Sequence, residues 1–187
     1  MISRNDLGNL IFPAKTVKQV AVLPFVVIGD EAKVLLLTSR RRGRWILPKG
    51  WPEKNLPLNA TAMTEAMEEA GLAGQVADRA IGTYTYKKRM KGGYEVTSHV
   101  SVFPMLVSHH FLDWPEKDER KFQWCSLKKA QKRLDDPGAA KLIGSLRTQS
   151  LDYLYAFFED SSEKPVASNA PATSPSFVRT LANMVGL

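Results

Sequence analysis

Cysteine, histidine and long apolar runs are what this chain has least of. Cys125 is the only cysteine among 187 residues. It excludes an intrachain disulfide and any cysteine metal cluster, and it suits a reducing compartment. There are three histidines, His99, His109 and His110. Neighbouring residues of a strand point to opposite faces, so His109 and His110 are not expected to chelate together, and none of the three is assigned a role. The longest apolar run, Val20 to Ile28, is broken by Pro24. It falls far short of the roughly 20 residues a spanning helix needs. The opening MISRNDLGNLIFPAK has no sustained apolar stretch behind its first charges, so neither secretion nor membrane insertion is expected and the cytoplasm is the expected location. No internal repeat is visible.

Acidic residues are outnumbered, 19 against 26 Lys and Arg, which leaves a net charge of +7. A positive field concentrates phosphates and speeds their capture, so polyanionic partners are favoured. The hydrophobic share, 44%, and the charged share, 24%, are those of an ordinary globular protein. The length suits one domain with appendages.

Turn residues and periodicity divide the chain. β-branched and apolar residues from Lys18 to Ile28 and from Ala32 to Arg40 flank Gly29-Asp30-Glu31, which predicts an antiparallel hairpin. A long loop, RRGRWILPKGWPEKNLPLN, follows, punctuated by Gly43, Pro48, Gly50, Pro52 and Pro57. A helix is expected from Ala60 to Ala70, with Asn59 as N-cap and Gly71 as the left-handed stop. A second hairpin is expected from Ala80 to Lys87 and Val96 to Val107. A short strand over Lys121 to Cys125 should lead into helices at Leu127 to Leu134 and Ala139 to Phe158. The order of elements is mixed α and β. Residues 1–159 are expected to form the domain. Residues 160–187, which begin with the Ser- and Pro-rich DSSEKPVASNAPATSP and end in FVRTLANMVGL, read as a flexible tail with a short amphipathic helix at its end.

The helix carries the chemistry. At 100° per residue, Glu65, Glu68 and Glu69 fall within an arc of roughly 100°, and Ala60, Met63, Met67 and Ala70 gather on the other side as the expected core face. Like charges so placed repel. Two of them also lie toward the negative end of the helix dipole. A compensating cation is expected, and Mg²⁺ or Mn²⁺ suits carboxylate oxygens while leaving coordination positions for phosphate. On the motif EAMEEAG alone, a solvated acidic face would be the commoner explanation.

The residues upstream change that balance. LPKGWPEKNLPLNATAMTEAMEEAGL resembles the Nudix box, G-x5-E-x7-R-E-U-x-E-E-x-G-U with U aliphatic, and the register fits without a gap. Gly50 takes the first glycine, Glu65 the glutamate of the Arg-Glu pair, Glu68 and Glu69 the Glu-Glu pair, and Gly71-Leu72 the ending. Leu56 replaces the loop glutamate and Thr64 the arginine, so two partners that would support one another are missing together. The resemblance runs over about Lys18 to Leu134. It is nearest the diphosphoinositol polyphosphate phosphohydrolase branch, through SRRRGRWILPKGW and DWPEKDERKFQW.

The resemblance implies an α+β fold, the Nudix α/β/α sandwich with a mixed central sheet. It also implies a metal-dependent hydrolase that cleaves a diphosphate bond in a polyphosphorylated small molecule, such as an inositol pyrophosphate or a diadenosine polyphosphate. The implied cofactor is Mg²⁺ or Mn²⁺, held by Glu65, Glu68, Glu69 and a backbone carbonyl near Gly50, with Glu68 or Glu69 activating water. A further acidic ligand from outside the box would be Glu116, Asp118 or Glu119. Basic side chains at strand ends suit substrate phosphates, and Lys18, Arg40, Lys49, Lys88, Arg89 and Arg120 are the expected contacts. Of the four tryptophans, Trp51 is the strongest candidate for stacking, although large aromatics more often anchor cores. The alternative is a non-catalytic module of Nudix shape that binds a phosphorylated ligand or RNA. No RNA-binding motif is present, so nucleic acid is not favoured.

Overall fold

The computed structural model describes residues 16–159 except Lys91. The expected first hairpin is β1 (Thr16–Ile28) and β2 (Glu31–Thr38), with Ile28 opposite Glu31 across Gly29–Asp30. Gly29 takes φ 62°, a left-handed turn conformation that glycine adopts without steric penalty. The second strand ends at Thr38, so Ser39 and Arg40 lie in the turn beyond it. The punctuated loop contributes two short strands, β3 (Trp45–Ile46) on β2 and β4 (Lys49–Gly50) on β1.

Helix α1 (Leu58–Ala70) ends at Gly71, whose φ of 64° is the left-handed stop expected there. The other end differs from expectation: the helix begins two residues earlier, behind Pro57, with no side-chain cap. Asn59 instead bonds its own turn, Oδ1 accepting from the Ala60 N–H at 2.9 Å, and donates through Nδ2 to Asp78 at 2.8 Å.

After α1 comes β5 (Leu72–Val76), then the second hairpin of β6 (Gly82–Arg89) and β7 (Glu95–His110). The chain continues through β8 (Phe122–Ser126) into α2 (Leu127–Arg133), α3 (Pro137–Leu146) and α4 (Leu151–Glu159). The single long helix expected from Ala139 to Phe158 is therefore two helices. Thr148, Gln149 and Ser150 break it, and the Gln149 N–H turns back to the Leu146 carbonyl at 3.1 Å. The expected tail, 160–187, lies outside the described residues.

The strands form one eight-stranded mixed sheet, in which β1 runs parallel to β7 and antiparallel to β2 and β4. Both faces are covered, which explains the nearly continuous apolar runs of β1 and β2. Val20, Val22, Leu35 and Leu37 pack with Ala62, Ala66 and Ala70 of α1. Ala21, Leu23, Phe25, Val34 and Leu36 face the other way, toward Ala130, Ala139, Ile143, Leu146 and Leu154 of α2 to α4. This is the expected α+β arrangement, an α/β/α sandwich.

One detail of α1 overturns the sequence expectation. Ala70 is buried as expected, but its buried companions are Thr61, Ala62, Ala66 and Glu69, whereas Ala60 and Met67 are only half-buried and Met63 is 44% exposed. Alanines at every fourth position let the helix lie close to the sheet. The longer methionines are left to line an open groove with Pro57, Ala60 and Thr64.

Candidate active site

The box glutamates gather where the end of β4 meets α1. The Glu65 carboxylate rests on the backbone of Gly50 so closely that a Cβ there would lie 1.5 Å from Oε1. Only glycine permits that approach. Glu69 sits one helical turn on, 8% exposed, and its Oε2 accepts the Lys49 N–H at 2.9 Å. Glu68 points outward into solvent. Two of the three glutamates thus face the β4 loop, and the third borders the groove.

A second segment closes the site from the far side of the sequence. The ring of Trp114 covers Gly71, where a Cβ would come within 2.7 Å of it, so this position demands glycine for space as well as for its φ. The Phe111 N–H bonds the Gly71 carbonyl at 2.8 Å, and the Glu116 N–H bonds the Glu68 carbonyl at 3.2 Å. Those bonds fix the loop 111–121 to the C-terminal end of α1. Of the three acids considered there, Glu116 is the one brought to the box, and Asp118 and Glu119 stay exposed.

Arg120 joins the two segments. Its side chain is 5% exposed; the guanidinium donates to Glu69 Oε1 through Nη2, to Glu116 Oε2 through Nε at 2.6 Å and to the Thr38 carbonyl through Nη1 at 3.1 Å. The end of β2 takes part again when Thr38 Oγ1 accepts the Lys121 N–H at 2.9 Å. Arg40, exposed, adds a second cation to Glu116 at 3.0 Å and reaches Glu119 at 3.5 Å.

The electrostatics follow from this crowding. Burial raises the Glu65 pKa to about 7, helped by the neighbouring charges of Glu69, Glu68 and Glu116. Burial also raises that of Glu69, against the opposing pull of Arg120 and the Lys49 N–H. Lys49 keeps part of its surface in solvent, yet burial of its ammonium lowers its pKa to about 8. Lys88 is lowered by burial too, while Glu65 and Glu69 push it back up. Its Nζ lies 4.1 Å from the centre of the Trp51 ring, and Trp51 is 45% exposed. That is a cation–π contact at the rim of the site. Arg89 and Lys18 lie exposed on β6 and β1.

Elsewhere Trp45, Trp114, Trp124 and His110 serve packing, and His99 and His109 lie exposed. Trp124 is buried and its indole N–H meets His110 Nδ1 at 3.4 Å, within a cluster that includes Trp114 and Phe122. Burial lowers the His110 pKa to about 4, so the ring is neutral there. Trp45 carries Arg133 on its face at 4.4 Å. Cys125 is buried, and burial pushes its thiol pKa up, which makes it a poor nucleophile.

The donor set suits a hard divalent ion chemically, since it offers carboxylate oxygens beside backbone carbonyls and at least one carboxylate that is strained when charged. Among the described residues, however, no three His, Cys, Asp or Glu side chains are arranged as a ready metal cage. Arg120 stands as the cation between Glu69 and Glu116. Sequence reasoning placed Arg120 among substrate contacts and did not foresee this bridge. The only signal was its place in DWPEKDERKFQW, and pairings over such a span leave no periodic trace.

Comparison with known proteins places this arrangement. The chain is 35% identical over 103 residues to Nudix hydrolase 21, chloroplastic, of Arabidopsis thaliana, which covers 54% of this chain and 50% of the relative. It is 33% identical over 108 residues to Nudix hydrolase 4 of the same plant, covering 56% and 50%. The chain therefore spans about half the length of the curated relatives it matches. Among solved structures, a Caenorhabditis elegans Ap4A hydrolase binary complex superposes with a TM-score of 0.56 at 19% identity, covering 75% of this chain and 98% of that one. The NUDIX domain of Shewanella oneidensis NrtR complexed with ADP ribose superposes at 0.54 and 20% identity, covering 79% and 97%. These likenesses show the shared fold. With the NUDIX domain signature matched over residues 17–146, spanning the sheet, the box helix and the Arg120 bridge, the chain belongs to the Nudix family.

Proposed function

We propose that the protein is a metal-dependent hydrolase that cleaves a phosphoanhydride bond in a polyphosphorylated small molecule, an inositol pyrophosphate or a diadenosine polyphosphate being the favoured class. The observation that carries this reading is the gathering of Glu65 on Gly50, Glu69 on the Lys49 N–H and Glu116 across Arg120, with Lys49 and Lys88 close enough to feel their charge. Anhydride cleavage needs little covalent chemistry from a protein; it needs charge neutralisation and an aligned water. Mg²⁺ or Mn²⁺, held by Glu65, Glu68, Glu69 and a carbonyl near Gly50, would supply the neutralisation.

The rest falls to the chain itself. Glu68 or Glu69 takes the proton of the attacking water. Glu69 is held in place by the Lys49 N–H and Arg120, and Glu68 is exposed to solvent. Lys49 and Lys88, Arg89 and Arg40 are placed to receive phosphates outside the scissile pair, and Lys18 to extend that surface along β1. The diphosphoinositol branch is favoured by the Arg-rich turn after β2 and the DWPEKDERKFQW loop, both of which border the glutamates. No helix among the described residues is long and apolar enough to cross a membrane. We assign the protein to the cytoplasm, where buried Cys125 would stay reduced.

A second reading, a non-catalytic phosphate-binding module, is favoured by one observation: Arg120 already occupies Glu69 and Glu116. A panel of inositol pyrophosphates, diadenosine polyphosphates and ADP-ribose, assayed with Mg²⁺ and with Mn²⁺, separates the two. Metal-dependent release of phosphate or nucleotide is expected. Binding without turnover across the panel would leave the module. Lys88→Ala with Arg89→Ala should raise KM most for the longest polyanion, with a steep dependence on salt. Equal changes for all substrates would remove the preference for dense phosphorylation.

A further inference from the structure

We infer that Arg120 is a built-in counter-cation of the carboxylate cluster, a positioning residue that holds Glu69 and Glu116 together and limits how tightly the site takes a divalent ion. The inference rests on the proposed metal site, but it concerns a residue outside the box. The Arg120 side chain is almost wholly buried, and its fork is spent on two carboxylates and one carbonyl, with Nη2 on Glu69, Nε on Glu116 and Nη1 on Thr38. A planar guanidinium can satisfy two carboxylates at once, which an ammonium on a flexible stem cannot do with the same geometry.

Glu69 has both oxygens engaged, Oε2 by the Lys49 N–H and Oε1 by Arg120. A metal ion approaching Glu69 must therefore share or displace the arginine. The Lys49 N–H belongs to a strand and cannot give way as easily. The other arginine on the cluster, Arg40, is more than half exposed and forms ion pairs with Glu116 and Glu119. Its opposition to a metal is screened by water. Position 64 on α1 is threonine, its hydroxyl turned back to the Ala60 carbonyl at 3.3 Å, so it adds no charge to the glutamates. The cluster is neutralised mainly from across the fold.

Two consequences oppose one another, and that makes the idea testable. Removing the arginine charge frees Glu69 and Glu116 for a dication, so metal should bind more tightly. It also leaves a buried carboxylate with less support, so the metal-free protein should be less stable. A residue that merely packed would weaken both properties together.

The experiment is calorimetric titration of the full chain with MnCl2 alone, together with melting temperatures with and without saturating Mn²⁺. Arg120→Gln keeps hydrogen-bond donors without charge and should bind Mn²⁺ about ten-fold more tightly than the parent, the change of one favourable charge contact. It should melt lower without metal and regain most of the loss with it. Arg120→Lys should fall between. Arg40→Gln should change the Mn²⁺ affinity less than three-fold, and Arg133→Gln, on the opposite side of the sheet, not at all. Equal or weaker Mn²⁺ binding by Arg120→Gln, or the same gain from Arg133→Gln, overturns the inference. Should Arg120→Gln fail to fold, the Arg120→Lys titration decides alone, and an affinity no tighter than the parent's overturns it. Failure of every substrate assay would strike the hydrolase reading while leaving these titrations intact.

Discussion

The two helical layers of the sandwich are built on different terms. On one face, α2 and α3 begin with side-chain caps: Ser126 Oγ accepts the Lys129 N–H at 3.3 Å, and Asp136 Oδ1 accepts those of Gly138 and Ala139 at 2.9 and 3.2 Å. Pro137 opens α3, a position its ring favours, and Ile143, Leu146 and Leu154 fill the space against the sheet. On the other face α1 has no cap, no acidic residue in its first turn, alanines at its interface and a buried glutamate. Local rules are obeyed where the molecule only has to hold together. They are broken at the cluster of carboxylates, as is expected where a site draws on stability supplied elsewhere.

Glu69→Gln strikes the weaker layer hardest. It retains the volume of the side chain and most of the Lys49 contact, but removes the charge that would bind a metal or accept a proton. A fall in kcat of at least about 100-fold is expected, with an unchanged far-UV spectrum. Unaltered turnover on a substrate the parent hydrolyses would refute the assignment of the box. The opposite layer should respond in reverse. Ile143→Ala empties a fully buried position and should lower stability by about 2–5 kcal/mol, read by urea unfolding, while kcat per folded molecule stays the same. A loss of turnover as large as that of Glu69→Gln would show that the layers are not separable.

The comparison also explains what could be read in advance. Gly29 and Gly71 announced a turn and a helix end because each needs a backbone conformation that other residues avoid. Gly50 and Glu65 were legible as a spacing, and the structure shows its meaning as a carboxylate laid on a bare backbone. β5, with the sequence LAGQV, was missed: it holds little β propensity of its own and owes its shape to pairing with β7. Ala70 was legible as core, but Met63 and Met67 were placed there too because methionine outranks alanine in hydrophobicity, while close packing against the sheet selects for the smaller side chain. Arg120 could not be placed, since nothing local links it to Glu69. Short-range chemistry leaves a pattern along the chain, and long-range neutralisation does not.

A gentler test uses pH in the absence of metal. The Glu65 carboxyl, raised from an ordinary value of 4.5 to about 7, binds its proton more tightly in the folded than in the unfolded chain. Between those values the folded state carries more protons at Glu65, so the Glu65 contribution to stability should fall as pH rises from about 4.5 to about 7 and level off above, while His110, lowered from 6.5 to about 4, contributes in the opposite sense. The stability of the parent measured against Glu65→Gln should show that fall, with equal melting temperatures at low pH. A difference between parent and Glu65→Gln that does not change over this range would assign the titration to another group.

The smallest expected effect concerns the two positions where the box departs from its family pattern. Leu56 is 44% exposed just before α1, and Thr64 is half-buried beside the methionine groove. Leu56→Glu alone sets a negative charge near the positive end of a helix that has no acid in its first turn, which should offset the loss of a partly exposed leucine and leave stability within about 0.5 kcal/mol of the parent. Thr64→Arg alone introduces a cation within one turn of Glu68, at a spacing where the pair contributes only about 0.2–0.5 kcal/mol. If the two departures form a single change of scaffold, the double variant should exceed the sum of the single ones by about 0.5–1 kcal/mol, because the new arginine would then find the new glutamate. Urea unfolding of the four proteins closes the cycle. A coupling indistinguishable from zero would mean that the loop before α1 and the face of Thr64 are independent, and that α1 tolerates these departures because its cluster is neutralised from Arg120.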